Sequence, residues 1–436
     1  MAHQVVLKGI TLTSKELGRG SYGVVLEGSF RGLRVAVKVM VAPHLDKPAL
    51  RELLLGPSVT HPNVVQTYTS RCATMTDDFF DYLEGGPRGV QEPGLPRLLL
   101  DIPLQSGDGF GAPGLLDGGV RESTTALCRV LSDLEATTKQ VAIVLVQELA
   151  DVGTLRTAIV NNMFTPGENW SVRLARRSLL RTATEIARGV LHLHDAGVVH
   201  ADLKPANVLL AASPQDRRGF TAKVSDFGLS HVIPPNANSE SFAGRLSFAV
   251  DTWAFGVILW EMLTGGRPFE GKSQADAVAA IRLSPEPLPW PTKLPMSSGI
   301  VHLGRVCMHR DPAQRPDMER VMQVLVGMEQ CIRANLLLGP EAVMEILAGH
   351  RRDEDVDEIV QRLVAAATAA AAAAPGAQGQ APSGGVPQAV GPAGAQAAAM
   401  VQRQGSAVKA EATQEPCAGT PERSLVIVDG IAVLAV

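Results

Sequence analysis

Asp202, Lys204 and Asn207 stand two and three residues apart in the stretch Val199-His200-Ala201-Asp202-Leu203-Lys204-Pro205-Ala206-Asn207-Val208-Leu209-Leu210. A carboxylate can accept a proton from a hydroxyl, an ammonium can neutralise phosphate, and an amide oxygen can hold a hard cation. Together they suit transfer of a phosphoryl group, a reaction that is mostly positioning and charge neutralisation. Taken alone, the same stretch also fits a capped turn before the strand-like Val208-Leu209-Leu210.

Other elements must position such a loop and bring it a phosphate. From Ile10 to Met40 the pattern is strand, glycine loop, strand, turn, strand. The loop is Leu17-Gly18-Arg19-Gly20-Ser21-Tyr22-Gly23-Val24-Val25, whose glycines let backbone approach phosphate oxygens with no Cβ in the way. A Rossmann dinucleotide turn would need a helix after the glycines, whereas Val24 to Phe30 reads as a strand followed by a turn at Arg31-Gly32. The next strand ends in Val35-Ala36-Val37-Lys38. A lysine among apolar strand residues costs free energy unless an anion meets it. The candidates are nucleotide phosphates and Glu52, in the helical segment Pro48 to Ser58. Either residue alone also fits a strand-edge lysine or a solvated helix glutamate.

Downstream, Val172 to Ala196 is predicted as a helix with Leu179, Ala183, Ile186, Ala187, Val190 and Leu193 on one face. Arg173, Arg177, Arg181 and Arg188 fall mostly elsewhere and read as a solvated face; His192, His194 and His200 read as structural. Lys223-Val224-Ser225-Asp226-Phe227-Gly228 puts an acid after a strand, where it could simply form a turn. Ala249 to Thr264 is apolar nearly all round, the pattern of a buried central helix, with Asp251 in its dipole-favoured first turn.

In this order the motifs resemble the protein-kinase family. The resemblance rests on the glycine loop, Val35-Ala36-Val37-Lys38, the helix glutamate, His61-Pro62-Asn63-Val64-Val65, the His200 to Asn207 loop, Asp226-Phe227-Gly228, Asp251-Thr252-Trp253-Ala254-Phe255-Gly256 and Asp311-Pro312-Ala313-Gln314-Arg315-Pro316. It runs from about Ile10 to Arg333 outside one insert, and is most similar to the tyrosine-kinase-like serine/threonine group. The fold implied is α+β and bilobal: a β-rich N-lobe over about 1–147 and a larger helical C-lobe over about 148–335. The resemblance implies ATP as phosphate donor and Mg2+ as cofactor, with an unidentified protein substrate or signalling partner. ATP would be met by Leu17, Gly18, Arg19, Gly20, Ser21, Tyr22, Gly23, Val24, Val25 and Ala36, and at the hinge by Glu148 and Ala150. Lys38 would hold the α- and β-phosphates, oriented by Glu52. Asp202 would be the base, Lys204 would contact the transferred phosphate, and Asn207 and Asp226 would hold magnesium through oxygen. Asp251 would hold the catalytic-loop backbone, and Arg315 would pair with a glutamate that ends the activation segment. Lys204-Pro205 resembles the serine/threonine version of the loop.

Composition narrows the partners. The chain has 436 residues and a formal net charge of -4, with no basic footprint for nucleic acid or an anionic membrane surface. It lacks an apolar run of the about 20 residues that a spanning helix takes, so no stable membrane insertion is expected. Five scattered cysteines without paired spacing argue against a disulfide framework or zinc site, and for a reducing, intracellular and cytoplasmic setting.

Two features depart from the family pattern. Ala201 replaces the arginine that commonly receives an activation-loop phosphate. Between Gly228 and the central helix the chain is about ten residues shorter than usual and lacks Ala-Pro-Glu, leaving Glu240 as the candidate partner of Arg315. These motivate an alternative, a nucleotide-binding pseudokinase or scaffold. Residues from about 72 to 139 read as a flexible insert with little to bury, containing a short helix within Ser123 to Thr138. Residues 336–374 read as a helical extension and 375–436 as a low-complexity, disordered tail. That tail ends in a hairpin-like pattern around Asp429-Gly430, which would be marginal alone.

Overall fold

The computed structural model describes residues 7, 9–20, 23–44, 47–77, 79–80, 116–167, 170–233, 247–333, 337–348, 361–362, 365, 425–428 and 431–434. The chain divides into two compact units, Met1–Ala150 with Asp226–Leu229, and Asp151–Ser225 with Ser230–Val436.

The first unit is built on a five-stranded antiparallel sheet in the order β1-β2-β3-β5-β4. Its strands are β1 (Ile10–Gly20), β2 (Gly23–Phe30), β3 (Leu33–Ala42), β4 (Thr67–Thr74) and β5 (Val141–Glu148). Arg31 and Gly32 join β2 to β3 with φ of 52° and 81°, the left-handed pair that a tight two-residue hairpin turn requires. A Cβ on Gly28 would lie 2.3 Å from the Thr11 carbonyl oxygen, so glycine is what lets β1 and β2 close up there.

Strand alternation sorts this sheet into two faces. Met40, Ala42, Val141, Ile143 and Leu145 cluster with Leu53 of helix α1 (Lys47–Ser58). The alternate residues Val35, Val37, Val39, Ala142, Val144 and Val146 cluster with Ala126, Leu127, Val130 and Leu131 of helix α2 (Leu116–Asp133). Covered on both faces, β5 has six consecutive buried residues, as its unbroken apolar run leads one to expect. The reading of 72–139 as an insert with little to bury is corrected here. Strand β4 continues to Thr74, and α2 is an 18-residue helix with its apolar stripe in the core. Each buried Leu or Val of that stripe contributes on the order of 1.5–3 kcal/mol.

In the second unit, β6 (Gly153–Thr154), β8 (Val208–Ala212) and β9 (Phe220–Val224) form a three-stranded sheet, and β7 (Val198–Val199) pairs with β10 (His231–Val232). The helices are α3 (Leu155–Val160), α4 (Val172–Asp195), α5 (Ala249–Thr264), α6 (Gln274–Leu283), α7 (Ser298–Cys307), α8 (Met318–Arg333) and α9 (Pro340–Ala348). Ser171 caps α4 by accepting the Leu174 N–H at 3.3 Å. The whole predicted apolar face of α4 is buried. Its arginines are not simply solvated: Arg173 donates to the Arg333 carbonyl at 2.7 Å, Arg177 meets Glu329 at 3.2 Å and Arg181 meets Asp216 at 2.8 Å. Arg176 is buried, donating to the Phe164 and Pro295 carbonyls. Helix α5 is buried nearly all round and stops at Gly265, left-handed at φ 72°.

The C-terminal pattern forms an antiparallel pair, β11 (Leu425–Val428) and β12 (Ile431–Leu434), with Leu425 opposite Leu434. The pair falls on the hairpin-like pattern of the sequence; its turn residues Asp429 and Gly430, and residues 375–424 of the expected low-complexity tail, lie outside the described residues. No described helix is long and apolar enough to cross a membrane.

Candidate active site

The chemistry-bearing loop lies between β7 and β8 and is braced by several side-chain hydrogen bonds. Lys204 Nζ reaches Asp202 Oδ2 at 2.8 Å, and Asn207 Nδ2 donates to the same oxygen at 2.9 Å and to the Asp202 carbonyl at 2.8 Å. Asp202 Oδ1 is buried and takes no hydrogen bond. The ammonium and the amide thus fix the carboxylate through one oxygen and leave the other as an acceptor. A single turn of 3-10 helix, Pro205–Asn207, sets that spacing before β8 begins.

Asp251, on the first turn of α5 and fully buried, braces the loop from below. Its Oδ2 accepts the His200 N–H at 2.7 Å and its Oδ1 accepts the Ala201 N–H at 2.9 Å, with His194 Nε2 at 2.9 Å from Oδ2. Burial alone would raise its carboxyl pKa; the hydrogen bond and charge of His194, with His200, outweigh this and hold it below the ordinary value. Ala201 sits at φ 64°, a left-handed conformation that is strained for an alanine. Its N–H, fixed by Asp251, is part of what imposes that geometry. His200 Nδ1 accepts the Asp202 N–H at 3.2 Å, and Nε2 lies 3.0 Å from the Ser225 carbonyl, so the ring is placed as its Nε2–H tautomer. Ser225 gives both its N–H and its hydroxyl to the Asn207 carbonyl at 2.9 Å, and the Ser230 hydroxyl donates to the His200 carbonyl.

The first unit carries the other half of the motif set. Leu17, Gly18, Arg19 and Gly20 end β1; Gly23, Val24 and Val25 begin β2, with Gly20 opposite Gly23. The glycine loop is therefore a hairpin, as the absence of a helix after it required. Ser21 and Tyr22 lie outside the described residues. A Cβ on Gly23 would fall 2.3 Å from the Val39 carbonyl oxygen, so this glycine is needed for the close approach of β2 to β3. Ala36 and Lys38 share one face of β3, opposite Gln147 and Leu145 of β5. Lys38 Nζ meets Asp226 Oδ1 at 3.1 Å, with Asp226 at φ 69° and Phe227 buried beside it in sequence. Glu52 lies on α1, its side chain outside the described residues. At the end of β5 the Glu148 N–H donates to the Gln66 carbonyl at 2.8 Å, and Ala150 is the last residue of this stretch of the unit.

Asp226 and Asn207 bring a carboxylate and an amide oxygen, the hard donors that magnesium takes, and a buried acceptor oxygen on Asp202 suits a hydroxyl donor. The residues present fit ATP and magnesium by chemistry. The Arg315 side chain is described, but its expected partner is not. Arg315 donates to the carbonyls of His309 at 2.8 Å, Ala249 at 2.9 Å and Arg310 at 3.4 Å. Glu240, its sequence-based candidate partner, lies outside the described residues. Burial lowers the Arg315 pKa to about 10.

Sequence reasoning found Asp251 and the loop residues but not the bracing by His194, Ser225 and Ser230. Ser225 directly precedes Asp226, which was the one local hint. It placed only a short helix within Ser123 to Thr138, whereas α2 begins at Leu116 and puts Ala126, Leu127, Val130 and Leu131 in the core.

Comparison with known proteins agrees with this arrangement. The protein kinase domain model matches residues 125–325. A serine/threonine/tyrosine-protein kinase of Arabidopsis thaliana is 30% identical over 182 residues, 39% of this chain and 45% of that protein. Mitogen-activated protein kinase kinase kinase 11 of Homo sapiens is 30% identical over 202 residues, 42% of this chain and 22% of that protein. A mitogen-activated protein kinase kinase kinase of Drosophila melanogaster is 30% identical over 167 residues, 34% of this chain and 14% of that protein. The chain therefore spans less than half the length of these relatives, the first two of which fall in the tyrosine-kinase-like group.

Proposed function

We infer that this chain, which belongs to the protein kinase superfamily through its residues 125–325, is a serine/threonine kinase that moves the γ-phosphate of ATP onto a protein hydroxyl. The observation that carries the reading is the state of Asp202: Lys204 and Asn207 occupy Oδ2 while Oδ1 is buried without a partner. Asp202 Oδ1 accepts the proton as the substrate oxygen bonds to the γ-phosphorus. The bond from that phosphorus to the β–γ bridging oxygen breaks, and its electron pair leaves with ADP. Lys204 holds negative charge on the moving group, and Lys38 holds the remaining phosphates. Asn207 and Asp226 hold magnesium, which when bound neutralises phosphate charge. Lys204-Pro205 supports serine or threonine as the acceptor.

The test is transfer of labelled γ-phosphate to a generic protein or to the chain itself. Asp202→Asn should lower transfer by about 10²- to 10⁴-fold, the usual worth of a positioned base, with the melting temperature nearly unchanged. Equal transfer by both proteins would overturn the reading. Ala201 in place of the usual arginine, with the short stretch between Gly228 and α5, favours a second reading, a nucleotide-binding scaffold. Tight ATP–magnesium binding with no transfer by the unmodified protein would select it.

A further inference from the structure

We propose that α2 positions the glycine hairpin, with Asp133 acting through Arg19 as a positioning residue for nucleotide binding. The inference rests on the reading that this hairpin meets the ATP phosphates, and concerns what holds it there.

The polar contacts between α2 and β1 advance together along both elements. Ser123 Oγ accepts the Leu12 N–H at 2.9 Å, in the buried part of the sheet. Two turns on, Arg129 donates to the Ser14 carbonyl at 3.0 Å. At the last residue of α2, Asp133 Oδ2 takes Arg19 Nη2 at 2.7 Å, and Arg19 is inside the glycine loop. Beneath them Ala126, Leu127, Val130 and Leu131 share one core with Ile10, Leu12, Val24 and Leu26. The helix therefore grips the strand that leads into the hairpin and ends on the hairpin itself.

Two further observations give this grip a purpose. The ladder between β1 and β2 shifts register between Leu12 and Glu16, and again between Glu16 and Gly18. The ladder is thus interrupted around Ser14, where Arg129 reaches β1, and regains a regular register only at Gly18, one residue before Arg19; the helix supplies restraint along the stretch where the ladder lacks it. Asp133 also ends a helix whose last turn has no basic residue. The helix dipole disfavours an acid there, and the Arg19 guanidinium, also held by Glu16 at 3.1 Å, offsets that cost.

Both partners are substantially solvent-exposed, so the pair acts as an adjustable strap rather than a rigid weld. The experiment compares the full chain with Asp133→Asn and Asp133→Glu at low salt. It reads ATP–magnesium affinity by titration and hydrogen exchange of the residue 18–24 amides without nucleotide. Asp133→Asn should weaken nucleotide binding about 2- to 5-fold and speed exchange in the hairpin, with the melting temperature unchanged. Asp133→Glu should restore most of both. At about 1 M salt, where the Debye length is about 3 Å, unmodified and Asp133→Asn proteins should converge. Unchanged hairpin exchange in Asp133→Asn at low salt would overturn the proposal, whether or not nucleotide binds. Failure of the unmodified protein to bind nucleotide would instead remove the kinase reading, leaving the exchange result to decide the strap.

Discussion

The proposed catalytic loop and the glycine hairpin are both short pieces of backbone held by charged side chains, but one is held by a buried carboxylate and the other by an exposed ion pair. Asp251 is fully buried and accepts two backbone N–H groups and a histidine. Arg19 is exposed and is held by two carboxylates across solvent-accessible distances. A buried carboxylate with both oxygens engaged fixes one geometry, because withdrawing it strands its donors without water. An exposed ion pair contributes little and is screened by salt, so it biases a geometry without fixing it. On the proposed function, a loop that aligns a base tolerates no slack, whereas a hairpin that admits and releases a nucleotide needs some.

Breaking the buried brace should have the largest effect. Asp251→Ala leaves the His200 and Ala201 N–H groups and His194 without their acceptor, and should cost about 3–5 kcal/mol. Denaturant titration of the full chain checks this; a loss below about 1 kcal/mol would show that the loop does not depend on the brace. The pH dependence has a definite sign. The folded-state pKa of Asp251 lies below the unfolded value near 3.8, so its contribution is present above that value and is lost as pH falls through the lower, folded one.

Helix α5 carries a second buried carboxylate that sharpens the comparison. Glu261 pairs with Arg156, yet burial, the largest influence on it, raises its pKa to about 7 against the attraction of Arg156 and Arg267. At Asp251 the hydrogen bond and charge of His194, with His200, overcome burial, whereas at Glu261 Arg156 and Arg267 do not. The sign is opposite to that of Asp251. The folded state holds its proton more tightly, so this contribution is complete below about 4.5 and declines as pH rises to about 7. Melting temperature should fall over that interval, and Glu261→Gln should flatten the fall. An identical profile in the variant would mean that the pair stays ionised on both sides of unfolding.

How much of this was legible in the sequence follows the same division between local and distant causes. Asp202, Lys204 and Asn207 lie within six residues, so their spacing carried the loop's chemistry into view. Strand alternation in Val35-Ala36-Val37-Lys38 and the unbroken run at Val141 to Val146 gave the sheet and its two covered faces. What stayed hidden were partners distant in sequence. Arg177 and Glu329 are separated by more than a helix, so the α4 arginines read as solvated. The α2 stripe follows a long run of glycine and proline that suppressed its periodicity. Arg315 needed a carboxylate by resemblance, and its three carbonyl partners depend on how the loop from His309 to Arg310 folds back on it.

The smallest effect supplies the control for the strap. Glu27 on β2 takes Lys15 from β1 and Arg34 from β3, each at 2.7 Å, in two pairs whose basic sides are more exposed than Arg19. The hydrogen bonds of Lys15 and then Arg34 lower its pKa, so its contribution is present above about 4.5 and is lost as pH falls below that. Glu27→Gln should cost only about 0.2–1 kcal/mol, less at high salt. Because Glu27 is opposite Ala36 and away from the hairpin tip, the variant should leave nucleotide affinity and residue 18–24 exchange unchanged. If Glu27→Gln loosened the hairpin as much as Asp133→Asn does, the charge balance of the whole sheet would be setting its geometry. If only Asp133→Asn does so, the end of α2 is what the hairpin leans on.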